Sequence, residues 1–250
     1  MRFAFTEEQD ELRRQARALL DEREPSWAEL AELGWLGVSV PEDAGGAGLG
    51  FVEEAILFEE LGRALYPGPY FATVALALPG LPPDEQARVA RGERTYEIDE
   101  VALDGQVTRT RAFAAIAAEA VGIAQKALEL AIEHAKTREQ FGKPIGIYQA
   151  ISHPIVDTYI DTELARSLTY WAAWCVAEGD EQAAMAALAA KSCAAEAAVA
   201  ACERSIQVHG GIGFTWEHPL HRYYKRAQWI EAFGGYPAKQ RAEIAASLLA

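Results

Sequence analysis

Cysteine is scarce in this chain, with 3 residues in 250. Cys175, Cys193 and Cys202 lie far apart, form no CxxC pair and have no histidine at zinc-ligand spacing. The sequence therefore gives no sign of a disulfide framework or of a structural zinc site. We expect three reduced, buried thiols in a reducing compartment.

Basic residues are few beside acidic ones, 23 against 37, which gives a formal net charge of -14. Such a negative field repels phosphate backbones and anionic lipid surfaces. No uninterrupted apolar run approaches the roughly 20 residues that span a bilayer. The N-terminus, MRFAFTEEQDELRRQ, lacks the apolar core of a signal peptide. We therefore expect a soluble, cytoplasmic protein that binds neither nucleic acid nor membranes.

Strand patterns are rare as well. Only residues 92–108 combine alternation with turn residues, and this segment suffices for two strands of about five residues. Elsewhere the spacing of apolar residues predicts helices over 6–22, 26–33, 110–137, 148–178, 180–209 and after Pro237. The first two helices begin with capping boxes, Thr6 with Gln9 and Ser26 with Glu29. The chain is predicted to be mainly α, with its long helices in an antiparallel bundle.

Two possible ligand motifs are weak. The loop GGAGLG, residues 45–50, is glycine-rich, but it has no βαβ unit around it and no GKS or GKT after it, so a tight loop between helices is favoured. His218 and His221 with Glu217 lack a third metal ligand, and Pro219 lies between them. A solvated helix start is the favoured interpretation there, and no metal site is predicted.

One segment with a stronger signal is KTREQFGKPIGIYQAISH, residues 136–153, which interrupts two long helices. The arginine fork of Arg138 can pair with a diphosphate, and the face of Phe141 can pack on a heterocycle. Gln149 can bind the polar edge of a ring. Together these residue types indicate a nucleotide-binding loop.

A second such segment is SIQVHGGIGFTWEHPLHRYYKRA, residues 205–227. A helix ends there on Gly210 and Gly211, where bare backbone amides can lie against phosphate. The basic and aromatic residues 222–226 that follow are explained by a solvated helix face, with a local anion site as the alternative.

On these residues the chain resembles the acyl-CoA dehydrogenase family. The motifs REQFGKPI and YQAIS, followed by IQVHGGIGFTWEHP, are in the family's order and separation, and FTEEQDELRRQAR, VPEDAGGAGLG and VGIAQKALELAIEHAKTR extend the agreement over most of the chain. The resemblance implies a helical N-terminal domain, a C-terminal four-helix bundle and FAD bound at subunit interfaces. It also implies dehydrogenation of an acyl-CoA thioester, in which a glutamate takes the α-proton while a hydride leaves for the flavin N5.

The resemblance also shows what this sequence has lost. The family's middle β-domain, which covers the flavin ring, is reduced here to a short segment, so the expected domains are 1–91, 92–109 and 110–250. Gly234 stands where most members carry the catalytic glutamate, and Ala112 where other members carry it. We therefore expect no catalytic residue in this chain.

Three further positions bear on the same comparison. Tyr236 replaces a threonine that contacts the flavin, and Lys225 with Arg226 replaces the usual Arg-Asp pair. The residues that would hold the adenosine diphosphate half of a neighbour's FAD are all present, and we call them the nucleotide clasp: Arg138, Phe141, Gln149, Gln207, Gly210 and Gly211.

This selective loss predicts a non-catalytic subunit of a heteromeric acyl-CoA dehydrogenase, similar to those acting on steroid side-chain thioesters. FAD would be shared with an unlike, full-length partner in an α2β2 assembly, and the partner would bind most of the acyl-CoA. Two alternatives remain: a helical scaffold that binds no flavin, and an active homomeric dehydrogenase with a displaced base such as Glu119 or Glu231.

Overall fold

A computed structural model describes residues 4–101, 103 and 105–249, and this part of the chain is mostly helical. Its α-helices are α1 (Glu7–Glu22), α2 (Trp27–Glu32), α3 (Phe51–Ala64), α4 (Pro83–Ala90), α5 (Gln106–Thr137), α6 (Gln149–Glu178), α7 (Ala183–His209), α8 (Leu220–Ala232) and α9 (Pro237–Leu248). A π-helical turn spans Phe71–Ala77. Strands β1 (Glu139–Gln140) and β2 (Lys143–Pro144) form one antiparallel hairpin. The predicted mainly α fold is confirmed.

The predicted capping boxes are formed. The Thr6 hydroxyl accepts a hydrogen bond from the Gln9 amide (3.2 Å), and the Ser26 hydroxyl accepts one from the Glu29 amide (3.3 Å). The long predicted helices also match, and their starts differ from the prediction by at most four residues. Helix α5 begins four residues earlier than expected, α6 one residue later and α7 three residues later. Local sequence signals therefore placed these elements correctly.

The strands expected within residues 92–108 are absent from the described part of that segment, and that prediction is wrong. The segment holds turns, a 3-10 turn at Ile98–Glu100 and the start of α5, while positions 102 and 104 lie outside the described residues. The Thr73 hydroxyl accepts a hydrogen bond from the Tyr96 amide (3.0 Å) and donates one to the Tyr96 carbonyl (3.3 Å). The amide and carbonyl of Tyr96 thus form their hydrogen bonds with the π-helical turn instead of with a neighbouring strand.

The glycine-rich loop 45–50 is a tight internal loop, as predicted. The amide of Gly46 donates to the Pro41 carbonyl (3.0 Å), and the amide of Gly48 donates to the Val40 carbonyl (2.8 Å). Amides engaged in this way within the chain are not available to bind a phosphate.

Helix α7 is the apolar centre of the bundle. Together with the turn that follows it, the stretch Ala183–Phe214 is long and apolar enough to cross a membrane, with a mean hydropathy of 1.4, but 61% of its apolar window is buried inside the fold. Cys175 and Cys202 are buried, Cys193 is half-buried, and all three are free thiols. These properties are those of a core helix in a bundle.

Helices α3 and α5 cross with their backbones in contact. A Cβ atom added to Gly122 would overlap the Glu59 carbonyl oxygen and lie 2.6 Å from the Arg63 backbone nitrogen, and one added to Gly62 would lie 2.8 Å from the Glu119 Cα atom. Such distances are below any real Cβ contact, so only glycine permits this crossing.

Buried ion pairs tie the N-terminal helices to the bundle at the same crossing. Glu54 on α3 is fully buried and accepts hydrogen bonds from Arg111 on α5 and from the Ser39 hydroxyl (2.7 Å). Burial raises the pKa of the Glu54 carboxyl. Glu59 forms a second link, with Arg166 of α6 (3.0 Å). Removing one partner of such a pair leaves a buried charge, so the pairs fix how the two parts dock.

We predict that Gly122→Ala lowers the free energy of unfolding by about 1 to 3 kcal/mol, because the added methyl group overlaps the α3 backbone. Gly80→Ala is the matched control, since a Cβ there would meet no atom within 4 Å. Urea denaturation of both variants measures the difference. Equal stabilities for the two would contradict a close α3–α5 crossing.

Candidate functional site

The hairpin end of the bundle brings the two sequence motifs together. A small apolar cluster joins the C-terminal ends of α5 and α7 to the connection between α5 and α6: Ala131, Ala135, Ile145 and Val208. The motifs 136–153 and 205–227 therefore meet at one end of the molecule, although they are distant in sequence.

All six residues predicted for the nucleotide clasp are exposed at this end. Phe141 occupies the turn between β1 and β2 with a positive φ of 54, and 91% of it is exposed. Its ring meets Tyr148 edge-on, with 6.3 Å between ring centroids. A large aromatic side chain held in a left-handed turn and facing solvent is costly, so this arrangement favours a ring that packs on something outside the chain.

Two glycines of the clasp differ from those at the helix crossing. Gly210 ends α7 with a φ of 66, and a 3-10 turn over Gly210–Phe214 follows. A Cβ atom at Gly210 or Gly211 would meet nothing within 4 Å. The positive φ explains Gly210, whereas neither φ nor internal crowding explains Gly211. Open space in front of both backbones fits a phosphate that approaches from outside.

A stack of three histidines supports the clasp. The ring centroids of His134 and His209 are 4.3 Å apart, and those of His209 and His218 are 4.4 Å apart. Desolvation and the neighbouring imidazoles lower the pKa of His134 and His218. His218 is thus half-buried in a stack and not part of a simple solvated helix start. The sequence spacing gave no signal for the contact between the rings of His209 and His218.

No group of three or more His, Cys, Asp or Glu side chains that could hold a metal ion is found among the described residues. The ring nitrogens of His209 and His221 instead lie 2.8 and 2.9 Å from the backbone carbonyls of Ser205 and His218.

Gly234 and Ala112, the two positions that the sequence comparison predicts for the catalytic glutamate, lie together at the other end of α5. Gly234 has a φ of +64, and a Cβ atom there would lie 2.5 Å from Cε1 and 2.7 Å from Cζ of Phe113. Ala112, the neighbour of Phe113, is fully buried. The Phe113 ring thus occupies the space that a side chain at position 234 would need.

A buried lysine donates hydrogen bonds to the backbone around Gly234, where the chain passes from α8 to α9. Lys191 on α7 is fully buried, and its Nζ donates to the carbonyls of Glu231 (2.9 Å) and Gly235 (2.5 Å). Gln240 also donates to the Gly235 carbonyl (3.0 Å). Burial lowers the pKa of Lys191 to about 8. Sequence reasoning missed this residue, although an isolated lysine inside an alanine-rich helix was a visible signal.

Arg226, predicted to replace part of a family Arg-Asp pair, has a partner within the chain. Its guanidinium donates two hydrogen bonds to Glu119 (2.5 and 2.9 Å) and lies 4.2 Å from the centroid of the Trp229 ring. Both carboxylate oxygens of Glu119 are therefore engaged. Tyr223 is buried and donates to the Arg63 carbonyl (2.9 Å), so residues 222–226 are only partly a solvated face.

Comparison with protein families identifies the class. The family model described as acyl-CoA dehydrogenase, C-terminal domain, matches residues 105–249, and the model of the N-terminal domain matches residues 6–81. The first match covers more than half of the chain, so this chain belongs to the acyl-CoA dehydrogenase family. Family membership implies FAD as the cofactor and oxidoreductase chemistry on acyl-CoA.

Curated relatives support this assignment. The acyl-CoA dehydrogenase IpdE2 of Mycobacterium tuberculosis is 34% identical in an alignment that covers 82% of this chain and 80% of that protein. The acyl-CoA dehydrogenase FadE34 of the same organism is 31% identical over 84% of this chain, which corresponds to 40% of the FadE34 sequence.

Solved structures share the fold. A variant of the Tcur3481-Tcur3483 steroid ACAD superimposes with a TM-score of 0.84 and 26% identity, covering 97% of this chain and 98% of that one. The ChsE4-ChsE5 complex from Mycobacterium tuberculosis gives a TM-score of 0.85, with 100% and 99% covered. At 24% identity this second likeness concerns the fold alone.

We predict that Gly234→Ala lowers stability by about 1 to 3 kcal/mol more than Gly34→Ala, because only the former collides with Phe113. Gly34 also has a positive φ, +74, but a Cβ there would meet nothing within 4 Å, so it reports the backbone penalty alone. Thermal or chemical denaturation of the two variants gives the difference. Equal losses would show that the space beside Gly234 is free.

A pH experiment tests the buried lysine. The folded chain releases the Lys191 proton near pH 8, while the unfolded chain keeps it to about 10.5, so the free energy of unfolding should rise with pH between these values. The rise has an upper limit of about 1.4 kcal/mol per pH unit. Subtracting the profile of Lys191→Met removes the titration of cysteines and tyrosines common to both proteins. A difference that stays flat above pH 8 would contradict the lowered pKa.

Proposed function

We propose that this chain is the non-catalytic subunit of a heteromeric acyl-CoA dehydrogenase, and that it holds the adenosine diphosphate half of an FAD whose flavin ring lies in an unlike partner. One observation carries the proposal: Phe113 occupies the space that a side chain at Gly234 would need, while the residues of the nucleotide clasp are exposed. Ala112 and Arg138 are 26 residues apart on α5, which corresponds to about 39 Å at 1.5 Å per residue. The two positions therefore lie at opposite ends of this helix.

The clasp residues fit the nucleotide half of FAD. The Arg138 guanidinium can donate charge-assisted hydrogen bonds to the diphosphate, and the amides beside Gly210 and Gly211 can approach it without a side chain in the way. Phe141 offers an exposed ring face. When bound, FAD supplies the hydride acceptor of the reaction, and the role of this chain is to bind and orient the far end of the cofactor.

The partner would supply what this chain lacks. It would provide the catalytic glutamate, the β-domain that seats the flavin ring and most of the acyl-CoA site, in an α2β2 assembly. The likeness to a steroid ACAD supports a steroid-related acyl-CoA substrate. The proposed domains remain 1–91, 92–109 and 110–250, and the free thiols support a cytoplasmic location.

The two alternatives fit the structure less well. A displaced base at Glu119 would have to leave two hydrogen bonds from Arg226 before it could accept a proton. A scaffold without flavin gives no reason for the open backbone at Gly211 or for the exposed ring of Phe141. Flavin binding with an unlike partner accounts for these features together.

Flavin absorbance per chain tests the proposal. The chain is purified alone, and also after co-expression with the product of a neighbouring gene that encodes a full-length acyl-CoA dehydrogenase, where the genome carries one. We expect a colourless protein alone and one FAD per unlike pair in the complex. Stoichiometric flavin on the lone chain, or a mixed complex without flavin, would overturn the proposal.

The same measurement tests the clasp. Arg138→Ala should weaken FAD retention in the mixed complex by about 10- to 150-fold, since a hydrogen bond to a charged group contributes about 1.5 to 3 kcal/mol. Lys136→Ala is the control, because it removes one exposed positive charge two residues away. Equal retention in both variants would place the diphosphate elsewhere.

A further inference from the structure

The three stacked imidazoles lie where the two motifs of the nucleotide clasp meet. His134 lies one helical turn before Arg138, whose amide donates a hydrogen bond to the His134 carbonyl (2.9 Å). His209 is the last residue of α7 and directly precedes Gly210. The His209 ring is the middle one of the stack, with centroids 4.3 Å from His134 and 4.4 Å from His218. This ring therefore lies at the junction between the arginine and the glycine backbone of the clasp.

Hydrogen bonds within the chain decide which ring of the stack can accept a proton. Nδ1 of His209 lies 2.8 Å from the Ser205 carbonyl oxygen. Because a carbonyl only accepts, Nδ1 carries the hydrogen of the neutral ring and Nε2 keeps a lone pair. His218 differs, since its Nδ1 accepts a hydrogen bond from the Leu220 amide (3.4 Å). Protonation of His218 would remove this acceptor, whereas His209 can be protonated at Nε2 and keep its bond to Ser205.

The groups around the stack are bases. The pKa of His134 is lowered by desolvation, by His209 and by Arg138. The pKa of His218 is lowered by desolvation and by the other imidazoles, His209, His134 and His221. Both flanking rings are therefore neutral at pH 7. In the part of the chain that the structure describes, no carboxylate is among the groups that shift these two histidines. The stack is thus a basic cluster that lacks a negative partner within the chain.

A bound diphosphate would supply this negative charge. The backbones of Gly210 and Gly211, next to His209, face open space. A nearby negative charge favours the protonated form of a histidine. We propose that His209 takes up a proton at Nε2 when a diphosphate binds at the clasp. This inference rests on the proposed function, which places the adenosine diphosphate half of FAD there. Because such linkage is reciprocal, the nucleotide binds more tightly as the pH falls and the proton becomes available.

The test titrates the purified chain with ADP-ribose, whose diphosphate is a diester and keeps its charge constant between pH 6 and pH 8. Nuclear magnetic resonance follows the His209 ring signals against pH, with and without the ligand. Saturating ADP-ribose should raise the pKa of His209 by about one unit and bind roughly five- to tenfold more tightly at pH 6 than at pH 8, since one unit is a tenfold effect. Adenosine, which has no phosphate, should leave the His209 titration unchanged.

Two variants assign the proton to the middle ring. His209→Phe keeps a flat ring between His134 and His218 but cannot be protonated, so ADP-ribose should bind with equal affinity at pH 6 and pH 8. His153→Gln is the matched control, because His153 is exposed on α6 and outside the stack, and it should keep the wild-type pH dependence. Unfolding curves show that both variants fold. If His209→Phe keeps the wild-type pH dependence, the proton is taken up elsewhere and the inference is wrong.

The outcomes separate this inference from the proposed function. ADP-ribose that binds equally well at both pH values, with an unchanged His209 titration, would refute the proton linkage and leave the nucleotide clasp intact. Absence of binding at both pH values would also refute the inference. The FAD content of the mixed complex would then decide the proposed function by itself.

Discussion

The contact between α3 and α5 at Gly62 and Gly122 is the constraint on which the rest of the structure depends. Because the two backbones touch, the position of α5 is fixed relative to the N-terminal helices. Helix α5 then carries the positions of the two proposed sites at its ends, Ala112 near its start and Arg138 just after its end. Buried charges reinforce the crossing, as in the Glu54 carboxylate that bonds Arg111. The separation between base position and clasp follows directly from this rigid helix.

The two ends of α5 differ in how much space surrounds the backbone of the residues packed against them. At one end, Phe113 fills the space beside Gly234, and the Lys191 ammonium fixes the surrounding carbonyls. At the other end, the backbone of Gly210 and Gly211 and the ring of Phe141 face open space. The imidazole rings of His134, His209 and His218 lie in contact beside Gly210. The lack of room for a side chain at position 234 and the exposed backbone at Gly210 and Gly211 are the physical basis of the proposal that a partner performs the chemistry and this chain binds the nucleotide.

Features set by neighbouring residues were predictable from the sequence. Capping boxes and helical spacing placed α1, α2 and the long bundle helices, because these signals act within a few residues. The strands predicted in 92–108 failed since alternation forms a sheet only where another strand pairs with it, and Thr73 takes that place for Tyr96. The two-residue strands beside Phe141 were too short to show alternation. Contacts such as Arg226 with Glu119, 107 residues apart, depend on the tertiary fold.

The position of the Phe113 ring also bears on how the chain can change over generations. Placing a glutamate at Gly234 by a single substitution produces a collision with Phe113 and a strained backbone. Shrinking Phe113 first leaves a cavity in the core instead. Each route to a larger side chain at position 234 therefore begins with a less stable protein. A side chain at position 234 and the present Phe113 ring are therefore mutually exclusive in this fold.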